Sequence, residues 1–232
     1  MEELLKEVKR LANPEKAKIL QRFFKTGKGE YGEGDIFIGL TVQQSRKVAK
    51  NHYGLDLNSI RKLLSSNIHE HRLVGLLILI NKYNKEDNKQ EIFNFYLQNS
   101  KQINNWDLVD LSAPNIIGQH LINKEKSILY KLASSDNLWE KRISVISTLS
   151  FIKNNEFEDS IRISEILLND KHDLIHKAVG WMLREIGKKD LTTLENFLKQ
   201  HYKNMPRTML RYSIEKFPEE KRQAYLKGEI KC

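Results

Sequence analysis

The stretch His69-Glu70-His71-Arg72-Leu73-Val74-Gly75-Leu76-Leu77-Ile78-Leu79-Ile80-Asn81-Lys82-Tyr83 decides the fold. Leu73, Leu76, Leu77 and Ile80 fall on one stripe of a helix. Two later stretches, Trp139 to Lys153 and Leu174 to Lys188, repeat the pattern with stripes Ile143/Ile146/Leu149 and Ala178/Met182/Ile186. Superposing the three aligns Arg72, Arg142 and Lys177, at separations of 70 and 35 residues. A further copy is therefore expected around position 107. A period of this length holds two helices and marks an α-solenoid of HEAT-like type. The expected architecture is all-α: one domain over residues 1–232, a curved α–α superhelix whose second helices line a concave face.

At the expected copy stands Asn105-Trp106-Asp107-Leu108-Val109-Asp110. The register sorts these residues into columns. Leu73, Leu108, Ile143 and Ala178 form a packing column, and so do Leu76, Leu111, Ile146 and Trp181. His71, Trp106, Lys141 and His176 form a polar column in which the indole is the exception, so Trp106 reads as a binding surface. Arg72, Asp107, Arg142 and Lys177 form a basic column beside it. Gly75, Asp110, Val145 and Gly180 form a tight one, where Asp110 sets a carboxylate in place of something small. Trp106 and Asp110 are four residues apart and share a helix face. Asp107 reads as pairing with a neighbouring Lys or Arg, or as a capping acid. On register alone Trp181 reads as core.

Lys and Arg total 39 against 30 Asp and Glu, a net charge of +9 that favours a polyanionic partner. The single cysteine, Cys232, excludes an internal disulfide and fits a reducing cytoplasm. The N-terminus reads as an amphipathic helix start, not a signal peptide. The longest apolar run, Leu76 to Ile80, is too short to span a bilayer.

Other signals carry blander readings. Asn13-Pro14 reads as an N-cap followed by proline at the first helical position. Trp139 opens a helix after Ser135-Asp136-Asn137 and reads as a packing staple. Arg142 is either a solvated charge or a phosphate contact. Arg184 shares a column with Leu79, Pro114 and Leu149, so it needs a buried partner or a ligand. His172-Asp173-Leu174-Ile175-His176 resembles a zinc-protease helix with Asp for Glu, but no third ligand follows, and no metal is expected. Five of the eleven glycines lie between Gly27 and Gly39, in a loop from Thr26 to Leu40. That loop lacks Gly-Lys-Ser/Thr and carries acids that repel phosphate, so it reads as an ordered loop or a lid and not a phosphate cradle.

Four anchors run along nearly the whole chain: Asn13-Pro14-Glu15-Lys16-Ala17, Trp106-Asp107-Leu108-Val109-Asp110, Ser135-Asp136-Asn137-Leu138-Trp139 with Arg142, and Lys177-Ala178-Val179-Gly180-Trp181-Met182-Leu183-Arg184-Glu185. Together they resemble the AlkD-type DNA alkylation-repair family of HEAT-like DNA glycosylases.

That resemblance implies a monofunctional glycosylase, monomeric and cofactor-free. It would remove cationic N3- and N7-alkylated purines from double-stranded DNA without base flipping and leave an abasic site. It implies Asp110, Trp106 and Trp181 as the catalytic set, overriding the register reading of Trp181. It implies Arg142 as a phosphate contact and Arg184 as a support of the site or the backbone. Lys141, Lys177 and Arg72 join these two as the expected DNA-binding cations of the concave face. Three departures stand out. Phe23 and Phe24 occupy a helix where family members often carry a Tyr, the glycine loop is longer, and Gln43 replaces a common Pro. Two alternatives stay open: a catalytically inactive binder of distorted or branched DNA, and a protein-binding scaffold.

Overall fold

The computed structural model describes residues 1–230; the lone cysteine, Cys232, lies outside the described residues. Among these residues regular structure is helical, apart from one isolated parallel bridge between Ile36 and Ile68. No helix among them is long and apolar enough to cross a membrane. The chain packs as two compact units, one ending at Ser112 and the other beginning at Ala113.

The first unit holds α1 (Glu2–Arg10), α2 (Pro14–Phe23), α3 (Val42–Asn51), α4 (Leu57–Leu64), α5 (His69–Lys85), α6 (Lys89–Gln98) and most of α7 (Trp106–Ala113). Local chemistry sets the starts. Asn13 Oδ1 accepts the Lys16 N–H at 3.0 Å, with Pro14 at the first helical position. Thr41 and Gln44 form a reciprocal capping box on α3. Helix α5 packs on both α3 and α4, and its Leu73–Leu79 run is buried throughout.

Between α2 and α3 the glycine-rich loop is ordered and tied down. Ile36 accepts the His69 N–H and donates to the Asn67 carbonyl, each at 2.9 Å. The buried Glu70 carboxylate accepts the N–H groups of Ile38, Gly39 and Leu40. At Gly39, φ is +89° and a Cβ would sit 2.1 Å from the Asn13 carbonyl, so only glycine fits there.

The second unit opens with a π turn (Pro114–Gly118), where proline has no N–H for the α-helical ladder. It continues through α8 (Gln119–Leu121), α9 (Ser127–Ala133), α10 (Leu138–Ser147), α11 (Leu149–Lys153) and α12 (Glu158–Ile166). Then follow α13 (Asp173–Lys189), α14 (Leu191–His201), α15 (Arg207–Ser213) and α16 (Glu219–Lys227). Asn137 Oδ1 caps α10 through the Trp139 and Glu140 N–H groups, and the His172 ring caps α13 through the Leu174 N–H. Within this unit α10 packs on α9 and α13, and α13 packs on α14 and α15.

The repeat is present as expected. Positions 72, 107, 142 and 177 fall on α5, α7, α10 and α13, each preceded by a partner helix (α4, α6, α9 and α12). Residues Leu73, Leu108, Ile143 and Ala178 are all buried. At Gly180 a Cβ would meet Tyr212 Cβ at 2.5 Å and the Met209 carbonyl at 2.6 Å, so α13 and α15 approach too closely for any side chain. Gly180→Ala is expected to destabilise the protein by about 1–3 kcal/mol through overpacking, read as a lower urea midpoint.

Candidate functional site

In the first unit the site is built at the start of α7. Buried Asn105 turns its side-chain carbonyl onto the Trp106 N–H at 2.8 Å, which fixes the first turn. The Trp106 indole is half-buried. One face stacks on Phe24 (5.1 Å, 21°), Phe23 stands edge-on (5.9 Å, 70°), and Nε1–H donates to the Tyr31 hydroxyl at 3.2 Å. Phe23 is itself 60% exposed. Asp110 lies one turn further along the helix and is also half-buried. Burial pushes the phenol of nearby Tyr96 up; its hydrogen bond to Ser112 opposes this, and the Asp110 charge adds to the rise. Trp106 and Asp110 thus stand about one turn apart on α7, each half-buried.

Beneath Trp106 lies a buried polar cluster that the sequence did not reveal. His69 Nε2 is 2.8 Å from Asp107 Oδ2, and Nδ1 is 3.3 Å from Asp35 Oδ2. Arg72 Nη2 is 2.6 Å from the same Asp35 oxygen, and Asn105 Nδ2 approaches it at 3.4 Å. The His69 ring stacks on Phe37 (4.4 Å) and leans on Phe24 (5.2 Å). Burial pushes the Asp35 carboxyl up, but the His69 hydrogen bond and the Arg72 charge outweigh it and hold it below its ordinary value. Burial likewise pushes the His69 imidazole down, yet its bonds to Asp107 and Asp35 lift it above the ordinary range. Asp107 therefore pairs with a histidine, where the sequence suggested a neighbouring Lys or Arg, or a capping acid.

In the second unit Trp181 is half-buried on α13, and its Nε1–H donates to Glu185 Oε1 at 3.1 Å. Arg184 pairs through Nη1 with Glu215, which is exposed and not the buried partner its column called for, while its Nε is buried without a hydrogen bond. Lys141 pairs with Asp170 at 2.8 Å and Lys177 with Asp173 at 2.7 Å; both remain half-buried. Trp139 is buried, in keeping with a packing role.

The expected basic surface column needs correction. Arg72 is 3% exposed and Arg142 4% exposed. Each uses Nη1 to tie a main-chain carbonyl, Arg72 that of Ser66 (2.7 Å) and Arg142 that of Leu174 (2.6 Å). Arg72 thus ties off the connection between α4 and α5, and Arg142 the first turn of α13. By contrast, the His71, Trp106, Lys141 and His176 column is half-buried at every position. Among the described residues no group of three or more His, Cys, Asp or Glu side chains could hold a metal.

A cleft of about 300 Å³ in the first unit is lined by Arg46, Lys50, Tyr53, Leu77, Asn81 and Lys85, with Lys85 over the Tyr53 ring at 4.9 Å. Sequence reasoning missed these cations because no column of the repeat singled them out.

A sequence model of the family described as DNA alkylation repair enzyme matches residues 4–217. No curated protein sequence matches the chain. The chain is similar to a solved structure described as a predicted DNA alkylation repair enzyme from Enterococcus faecalis, with a TM-score of 0.69 at 15% identity. The match covers 90% of this chain and 97% of that one. At that identity the likeness shows the shared all-helical fold.

Proposed function

Since this chain belongs to the DNA alkylation repair enzyme family, we propose that it is a monofunctional glycosylase for cationic N3- and N7-alkylated purines in duplex DNA. The observation that carries the reading is the pairing of a half-buried indole and a half-buried carboxylate, Trp106 and Asp110, on successive turns of α7.

The chemistry suits those groups. An alkylated purine already bears a positive charge, so the base leaves as a neutral molecule without being protonated. As the C1′–N bond breaks, its electron pair goes to the base and positive charge moves onto the deoxyribose. A carboxylate beside C1′ stabilises that charge. Water then bonds to C1′ and gives up a proton, leaving an abasic site. Indole faces attract the same cation through their π electrons, and Trp106 is held for this by Phe24 behind it. Trp181 and Asp110 take the roles that the family resemblance gives them. The family resemblance implies a base that stays in the duplex, and for such a reaction no base-sized pocket is needed.

Backbone contacts fall to Lys141 and Lys177, with Arg184 supporting Trp181 through their shared contact with Glu185. The buried Arg72 and Arg142 hold the scaffold. Arg46, Lys50 and Lys85 supply further phosphate-facing charge.

Incubation with freshly methylated duplex DNA is expected to release 7-methylguanine or 3-methyladenine, measured by chromatography. Binding without release above background would turn the reading to a non-catalytic DNA binder. Affinity is expected to fall steeply with salt. Four phosphate contacts alone would weaken binding on the order of 10²-fold over a fourfold rise in salt. A flat response would sink the backbone-contact model.

A further inference from the structure

We propose that His69 is a positioning residue for the Trp106–Asp110 turn, acting as an imidazolium that clamps the start of α7 to the glycine-rich loop. Its effect on base release rests on the function proposed above; its geometry does not.

The argument starts from donors and acceptors. An ionised carboxylate only accepts hydrogen bonds. His69 presents one ring nitrogen to Asp107 and the other to Asp35. Both contacts are satisfied together only if both nitrogens carry a proton. The alternative partner for Nδ1, Arg72 Nη2, lies further away at 3.5 Å and already sits 2.6 Å from Asp35.

Charge supports the same state. From the loop comes Asp35, from α7 comes Asp107, and from α5 itself come Arg72 and His69. With the imidazole protonated, two buried cations face two carboxylates. The remaining charged neighbour, Glu70, is met separately by three backbone N–H groups of residues 38–40. A neutral His69 would leave the cluster one negative charge in excess where burial makes that costly. The other faces of the ring are closed by Phe37 and Phe24, so water cannot easily take over the lost bond.

The cluster also grips the site. Asp107 is the residue next to Trp106, and its second oxygen, Oδ1, is buried with no hydrogen-bond partner. The bond from His69 is therefore what compensates that carboxylate. Asp35 closes the same loop that delivers Tyr31 to the indole N–H of Trp106. Losing the ring proton would loosen loop and helix together. Its folded value is raised, so the clamp is complete below the ordinary imidazole range and is lost as pH rises through the higher folded value.

The test is ring NMR on the full chain between about pH 6 and pH 9, with His69→Gln used to assign the ring signals. Two ring N–H protons are expected on His69 at neutral pH, lost at alkaline pH together with a shift of the Trp106 indole N–H. Asp107→Asn, which keeps an acceptor but removes the charge, should move that midpoint down. A single ring N–H at neutral pH, or a Trp106 signal that ignores the ring's titration, would overturn the proposal. In parallel, His69→Gln should lower kcat for base release on the order of tenfold, with KM little changed, and abolish the alkaline limb. A variant with wild-type kcat and an intact alkaline limb would equally overturn it. A wild-type chain that releases no base would remove the glycosylase reading alone, since the NMR result still decides the clamp.

Discussion

Asp110→Asn is expected to slow release of 7-methylguanine by about 10²–10³-fold in single turnover, the loss that follows removal of one preorganised electrostatic group. The substitution keeps shape and volume, so the α7 turn should persist. What disappears is a negative charge beside the sugar at the moment the sugar becomes positive. Duplex binding should be retained or slightly tightened, because a carboxylate near a polyanion repels it. This split between chemistry and binding is what sets Asp110 apart from Asp107 on the same turn. Asp107 is engaged with His69, and replacing it should disturb folding and rate together. Comparable rates for Asp110→Asn and the parent chain would remove the carboxylate from the mechanism.

The second large effect falls on stability. Arg72→Met is expected to lower the free energy of unfolding by about 3–5 kcal/mol, because it strips the guanidinium from a buried carboxylate. Arg72 is 3% exposed, Asp35 is 6% exposed, and they meet at 2.6 Å. The double variant Arg72→Met with Asp35→Asn should recover part of the loss, since no uncompensated charge remains. A urea titration of Arg72→Met, Asp35→Asn and the double variant measures the coupling. The acid side follows from the lowered Asp35 value. Its contribution is present above the ordinary carboxylate range and is lost as pH falls through the lower folded value. If Arg72 instead lay on a DNA-contacting surface, the single variant would be nearly as stable as the parent and its DNA binding would be less salt-sensitive.

The Arg72 result marks the limit of what the sequence discloses. A period of 35 residues located all four second helices, including α7, where the copy is too diverged to see directly. It also separated the fully buried Leu73 column from the half-buried Trp106 column, because burial follows helical phase. It could not say which cations are free. Whether an arginine faces water or a neighbour's carbonyl depends on connections such as the one at Ser66, which helical phase does not describe. The same blindness hid His69, Asp35 and Tyr31. His69 opens a strongly apolar helix, and no column of the repeat singled it out. Asp35 and Tyr31 sit in a loop whose acids seemed only to repel phosphate. Their partners lie 34 to 75 positions away in the chain, so only tertiary packing brings them together.

Tyr31 and Glu185 have a further effect on what the two tryptophans can recognise. An indole has one polar hydrogen, and in both rings it is already given to a partner within the same chain. What remains to offer an incoming molecule is a flat, electron-rich plane. Such a plane rewards positive charge and close stacking but has no means of telling one nucleobase letter from another. Choice between targets by these two rings would then rest on electrical character, indifferent to the surrounding genetic text.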